Sequence, residues 1–343
     1  MKITTIPIEE AVGLPLAHDL TLIDTENSYK GARFRRGQII TEEDLPLLRK
    51  MGRINLSIID MEDDEIHEDE AALALAKSLC GEGLEITGPQ EGRCRLVAKY
   101  PGIARFSSEC VSKINKERNW SLATCPINSI VHSGKPVVSL RILPLVIKQP
   151  FLDQAIMDAE PVTVLPFLPQ RVGLVTTGSE IKSGLVKDVF EERLKNKLRE
   201  LGGSYQGQII CGDGTEEIQG AIRNMLETGV DIVICTGGMS VDADDRTPHA
   251  IMSSSDEVVF RGVPSQPGAN LMLARKDRSW IIGAPACVVH DERTTLDRLL
   301  VTIFAGLVDK LDVSLWGIGG LCSHCKVCIF PECHFARLPV SFQ

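Results

Sequence analysis

The chain has no excess of positive charge. Its 343 residues carry 37 Lys and Arg against 46 Asp and Glu, a formal net charge of −9. That argues against a nucleic-acid partner, which needs a basic face. A small anionic ligand stays open, because backbone N–H groups and a divalent cation can hold phosphate without net positive charge. No apolar run approaches the roughly 18 residues of a membrane span, so no membrane partner is expected. Met1-Lys2 leads into alternating residues and the acids Glu9 and Glu10 rather than an apolar stretch, so no signal peptide is expected. The 11 cysteines are an odd number, and seven of them are scattered. A disulfide scaffold is disfavoured, and a cytoplasmic location in a reducing compartment is expected.

What remains is ordinary globular composition, 43% hydrophobic and 24% charged. At this length two or three domains are expected. Residues 1–65 read as a β/α segment. It holds a helix from Thr41 to Met51 and a basic cluster (Arg33, Arg35, Arg36) that reads as a solvated hairpin. Residues 66–165 read as a β-rich domain, with a helix over Glu70–Cys80, another near Ser107–Lys116, and turns such as Gly88-Pro89 and Pro101-Gly102. Pro150 to Pro169 reads as a Pro-punctuated crossing. Residues 166–312 read as an α/β domain and 313–343 as a short Cys-rich tail.

The α/β domain opens with an apolar strand candidate at Arg171–Thr176 and a helix from Asp188 to Leu201, which Asp188 can cap. Phe190, Leu194, Leu198 and Leu201 share one face of that helix. Strands at Gly207–Cys211 and Asp231–Cys235 flank a helix that Thr215 can cap, giving a parallel βαβαβ unit. Further strands are expected at Glu257–Val263 and Trp280–Gly283, and a long helix from Asp291 to Asp309.

Two Gly-bearing turns follow strands of this unit: Thr177-Gly178-Ser179 and Gly237-Gly238-Met239-Ser240. Both belong at the carboxyl edge of a parallel sheet, where such folds bind ligands. Backbone without a Cβ approaches a ligand closely, and its N–H groups cradle an oxyanion. Asp242, Asp244 and Asp245 follow within a few residues, an array that attracts Mg²⁺, which bridges to phosphate. The alternative is an acidic surface loop after a tight turn. Neither turn matches the dinucleotide fingerprint or the Walker lysine pattern, which disfavours a dehydrogenase or a P-loop enzyme.

The run Thr176-Thr177-Gly178-Ser179-Glu180, then Gly184 and Asp188, then Asp231 to Val241, resembles the molybdopterin-binding domain. That domain occurs in molybdopterin adenylyltransferases, molybdopterin molybdenumtransferases and CinA-like proteins. Pro267-Gly268 and Gly283-Ala284-Pro285 resemble later turns of the molybdenumtransferase. The resemblance implies a three-layer α/β fold with a mostly parallel sheet. It implies a molybdopterin or adenylyl-molybdopterin ligand, with Mg²⁺ and molybdate, and points to a molybdenumtransferase-like transferase of molybdenum cofactor biosynthesis.

By that resemblance Asp188 and Asp245 are the catalytic acids, and Asp242 and Asp245 hold Mg²⁺. Thr177, Gly178, Ser179, Gly237, Gly238, Met239, Ser240, Pro267, Gly268, Gly283 and Pro285 line the ligand. A homo-oligomer and a molybdoenzyme partner are implied as well. Three departures alter the site: Ser179 stands where Asp is common, Asp242-Ala243 replaces Gly-Asp, and Ala286-Cys287 replaces Gly-Asn after Pro285. A non-catalytic cofactor carrier, an insertion chaperone or a redox-responsive regulator is the main alternative, and a CinA-like nucleotide hydrolase another.

The tail carries Cys322, Cys325, Cys328 and Cys333, a C-x₂-C-x₂-C-x₄-C run. Four thiolates at that spacing can wrap one centre. The first three resemble a ferredoxin run, while a zinc site more often has two separated knuckles, so Fe–S or Zn is expected. His324 and His334 are alternative ligands. His132, His249, His290 and Cys287 read as structural or uncommitted.

Overall fold

The computed structural model describes residues 2–24, 29–60, 62, 64–239 and 246–338. The chain divides into two compact units: residues 1–98, 106–125 and 134–163, and residues 99–105, 126–133 and 164–343.

The first unit is built of small antiparallel sheets. Lys2–Pro7 pairs with Asn55–Asp60, and Leu20–Asp24 pairs with Tyr29–Phe34 as a hairpin. Arg33 and its neighbours end that hairpin, where the Arg36 side chain meets Glu70 at 3.1 Å. A four-stranded sheet runs in the order Leu84–Gln90, Arg93–Ala98, Pro136–Ile142, Trp120–Thr124. The helix Glu68–Leu79 buries Ala71, Ala72, Leu75, Ala76 and Leu79, one apolar face at helical spacing. The helix expected from Thr41 to Met51 is a 3₁₀ turn, Glu42–Asp44, followed by a helix over Leu45–Lys50. The crossing expected over Pro150 to Pro169 holds the division between the units, at 163/164, and it opens with a helix, Gln149–Met157, with Pro150 in its first turn. Proline needs no N–H partner there.

The second unit is organised on a six-stranded sheet. Its strands are β1 (Arg171–Thr177), β2 (Ser204–Cys211), β3 (Ile232–Thr236), β4 (Glu257–Arg261), β5 (Met272–Lys276) and β6 (Ser279–Gly283). The helices are α1 (Ser179–Lys182), α2 (Phe190–Leu201), α3 (Thr215–Glu227), α4 (Thr247–Ser254) and α5 (Thr295–Phe304). The spatial order is β2-β1-β3-β6-β5-β4. The first four of these are parallel to one another, while β5 and β4 continue antiparallel.

The side-chain alternation of the strands makes three layers. Ile232 and Ile234 face one core with Phe190, Leu194 and Leu198 of α2 and Leu296, Leu299 and Leu300 of α5. Val233 and Cys235 face the other with Ile218, Ile222 and Met225 of α3 and Ile251 of α4. Phe190 is fully buried, and its truncation to Ala costs about 3–5 kcal/mol. The fold is therefore mixed α/β with a mostly parallel sheet, the class expected above.

A strand and a helix depart most from expectation. β5 has no counterpart among the expected strands, since Met272-Leu273-Ala274 lacks the β-branched residues that mark them. The helix expected from Asp291 to Asp309 is α5 alone. Thr294 and Asp297 form a capping box at its start, and Gly306 at φ +65° turns the chain just past its end.

Candidate ligand-binding edge of the α/β unit

Parallel pairing brings the expected turns to one edge. Thr176 of β1 pairs with Thr236 of β3, and Cys235 pairs with Gly283 of β6. The turns after β1, β3 and β6 therefore leave the sheet side by side. β5 runs antiparallel to β6, with Met272 opposite Gly283, so the Pro267-Gly268 turn that precedes β5 reaches the same edge.

Gly237 makes the closest approach between turns. Its φ is +90°, and a Cβ there would lie 2.4 Å from the Thr177 carbonyl oxygen and 2.5 Å from Thr177 Oγ1. Thr247, fully buried at the start of α4, donates from Oγ1 to the Gly237 carbonyl at 2.7 Å and lies 3.4 Å from Thr177 Oγ1. The two Gly turns are thus locked in contact. A second contact joins the other two turns. Gly268, at φ +111°, would place a Cβ 2.3 Å from Thr295 Oγ1 and 3.0 Å from Pro285 Cγ. Thr295 donates from Oγ1 to Gly268 O (2.6 Å) and from its N–H to Pro267 O (3.0 Å).

The N-terminus of α5 is held independently. Lys197 of α2 donates to Asp297 at 2.6 Å, both side chains being under a tenth exposed. Arg293 pairs with the same carboxylate at 3.1 Å.

Ser179 is fixed by Asp213, whose Oδ2 accepts from Ser179 N–H (2.9 Å) and Oγ (2.7 Å). Lys182 lies 2.6 Å from Glu217, and that ammonium holds the Glu217 carboxyl below its usual range. Asp188 sits one position before α2's N-cap, and its Oδ1 accepts from the Phe190 N–H at 2.8 Å. Its Oδ2 accepts from Thr176 Oγ1 (3.3 Å) and from Gln208 Nε2. Gln208 Nε2 also donates to Thr176 Oγ1 at 2.8 Å, and Thr236 Oγ1 donates to Thr176 at 3.3 Å. Both oxygens of Asp188 are therefore engaged in fixing β1, β2 and α2.

Met239 turns its side chain inward. It is 3% exposed and packs in the core between the sheet and α3 and α4. Ser240, Asp242 and Asp245 lie outside the described residues. Cys287 is near the same edge, and burial pushes its thiol up to about 11, so it is a neutral thiol near pH 7.

Gln208, Asp213, Thr236 and Thr247 are not singled out by the sequence. Each acts on a turn far away along the chain. Asp213 alone carries a local cue, lying in the turn after a strand.

Residues 173–305 match the family model described as "Probable molybdopterin binding domain". The α/β unit is a domain of this molybdopterin-binding type. Residues 5–60 match a domain of unknown function. A CinA-like protein of Mycobacterium leprae is 40% identical over 81 residues, which are 24% of this chain and 19% of that protein. One from Mycolicibacterium gilvum is 36% identical over the same length and shares. The chain thus spans about a fifth of the length of the curated relatives it matches. Among solved structures, the molybdopterin biosynthesis enzyme MoaB of Thermus thermophilus is 19% identical with a TM-score of 0.34. That match covers 40% of this chain and 97% of that one. A molybdopterin biosynthesis protein of Mycobacterium abscessus is 19% identical with a TM-score of 0.36, covering 41% and 97%.

The four tail cysteines gather on one cavity of about 350 Å³, whose wall also includes His290, Asp291 and Arg293. Among the described residues, no group of three or more His, Cys, Asp or Glu side chains is arranged to hold a metal ion. No helix among them is long and apolar enough to cross a membrane.

Proposed function

We propose that the molybdopterin-binding-type domain takes molybdopterin or its adenylylated form, in molybdenum cofactor biosynthesis. The observation that carries this reading is the contact of Gly237 with Thr177. It joins two turns of Cβ-free backbone at the carboxyl edge of a parallel sheet, the place and geometry that suit a phosphate. In this reading the terminal phosphate accepts from main-chain N–H groups of Gly237, Gly238 and Ser240, while Gly178 and Ser179, whose own N–H groups donate to Cys211 O and Asp213 Oδ2, line the pocket beside it. Pro267, Gly268, Gly283 and Pro285 face the pterin end.

Mg²⁺, when bound, supplies neutralisation of phosphate charge, and Asp242 and Asp245 would hold it. Asp188 does not suit that task, because its oxygens already accept three hydrogen bonds. Its proposed role is to fix Thr176 and the start of α2, which leaves Asp245 as the proposed catalytic acid of the expected pair. Molybdate would enter as substrate, and the activity would be molybdenum transfer to the bound pterin or nucleotidyl processing of its adenylylated form. Partners of this reading are a second copy of the chain and an accepting molybdoenzyme.

Anaerobic equilibrium binding with and without Mg²⁺ tests it. One molybdopterin per chain, held more tightly with Mg²⁺, is expected. A folded protein that binds neither form contradicts it. The engagement of Asp188 favours a second reading, in which the same pocket carries the cofactor without chemistry. Rescue of cells lacking molybdenumtransferase separates the two, since a carrier does not rescue. The 81-residue match to CinA-like proteins supports a third reading, nucleotide hydrolysis. Release of nucleotide products without pterin binding would select it.

A further inference from the structure

From Trp316 to Arg337 the chain makes one excursion that contains all four tail cysteines. A single buried guanidinium closes it at both ends. Arg298 of α5 is 1% exposed. It donates from Nη1 to Trp316 O (3.0 Å) and Ser265 Oγ (2.8 Å), and from Nη2 to Arg337 O (3.2 Å). Its plane also lies 4.9 Å from the Trp316 ring and 5.3 Å from Phe335. Burying a charge on neutral oxygens is costly, and nothing in the proposed pterin site uses it.

Inside the excursion the chain is also ordered. Cys322 N–H donates to Gln266 O at 2.9 Å, while His334 Nε2 lies 2.8 Å from Leu321 O. Arg293 stacks on Phe330 at 4.5 Å. Yet the segment from Leu321 to Cys333 contains no helix and only an isolated bridge. Val327 and Ile329 point to solvent at 77% and 53% exposure. Fixing such a run costs about 1–2 kcal/mol per residue in backbone entropy, and little apolar burial offsets it. The four cysteines, by contrast, all line the cavity of about 350 Å³.

The cavity discriminates between occupants. One zinc ion draws four ligands to about 2.3 Å from a single point and needs no cavity between them. A cluster interposes several irons and sulfides between its thiolates and so requires volume. Cysteines on the wall of an open cavity match the second arrangement. We propose that this cavity holds a polynuclear iron–sulfur cluster ligated by Cys322, Cys325, Cys328 and Cys333. Ligation replaces each S–H bond by an Fe–S bond and releases four thiol protons. Arg293 lies on the cavity wall, its Nη atoms paired with Glu200 and Asp297 and its Nε buried with no hydrogen-bond partner. Hydrogen bonds from such donors to sulfur tune these centres. The inference is independent of the pterin reading.

The full chain, reconstituted without oxygen with ferric iron, sulfide and a thiol reductant that supplies two electrons per four irons as it becomes a disulfide, provides the test. Expected are iron and acid-labile sulfide in equal amounts, at about four each per chain for the four-iron form, with brown visible absorption. Cys325→Ser and Cys328→Ser should each lose iron at least several-fold while keeping the circular dichroism of the parent, and Cys287→Ser should keep its iron. Stoichiometric zinc without sulfide, no metal uptake by folded protein, or iron indifferent to the tail substitutions would each overturn it.

Discussion

Gly237 lies against Thr177 so closely that a Cβ would meet the Thr177 carbonyl oxygen at 2.4 Å. The partner atom is backbone, so no rotamer change relieves the contact. Gly237→Ala should therefore move one turn off the other, at a cost of about 1–3 kcal/mol in stability from the positive φ and the clash. Ligand binding should fall at least ten-fold while the α/β core remains folded. Isothermal titration beside thermal melting separates the two effects.

Asp188 accepts from the Phe190 N–H, Thr176 and Gln208. Asp188→Asn keeps one acceptor for Phe190 but turns an amide donor toward the Gln208 donor. The mismatch should cost about 1–3 kcal/mol. Gln208→Glu in the same chain should recover part of it. A denaturant-melt double-mutant cycle reads the coupling, and no coupling would mean that Asp188 does not organise this edge.

Arg298→Met should leave the Trp316 and Arg337 carbonyls without their shared donor. The loss should be about 2–3 kcal/mol for buried oxygens left unpaired. Limited proteolysis should cut between 316 and 337 well before the sheet is attacked. Equal protection in parent and variant would show that the guanidinium does not hold the excursion.

Glu68, 9% exposed in the first unit, has its carboxyl pushed up to about 7, first by burial and then by Asp69. The folded pKa exceeds the unfolded one, so the folded state binds more protons between pH 4.5 and pH 7. Stability associated with this group is therefore full below pH 4.5 and is lost as pH rises through 7. The span is on the order of 3 kcal/mol. Glu68→Gln should flatten that slope and stabilise the unit at about pH 8, as denaturant titrations across this range would show.

Much of the second unit is legible in the sequence because its elements obey simple periods. The Phe190, Leu194, Leu198, Leu201 stripe is buried as its spacing requires, and the apolar runs at 171–176 and 231–235 are the central strands. Elements outside those periods are harder to read. Pro150 looks like a breaker but occupies a helix's first turn, and β5 has an apolar run without β-branching. The Gly turns can be placed at one edge, since strand direction follows from βαβ connections. Their fasteners cannot be found that way. Gln208, Asp213 and Thr247 act across 32, 34 and 70 residues, and a polar residue near a strand end ordinarily faces water. Only the strand order brings them to Thr176, Ser179 and Thr177.

The central claim is that the joined Thr177 and Gly237 turns seat the terminal phosphate of a pterin. Anaerobic titration of the parent and of Gly237→Ala, each with molybdopterin and with its dephosphorylated form, tests it most directly. The parent should bind the phosphorylated ligand at least ten-fold more tightly, and the substitution should abolish this preference. Equal affinity for the two ligands in the parent, or an unchanged preference in the variant, would contradict it.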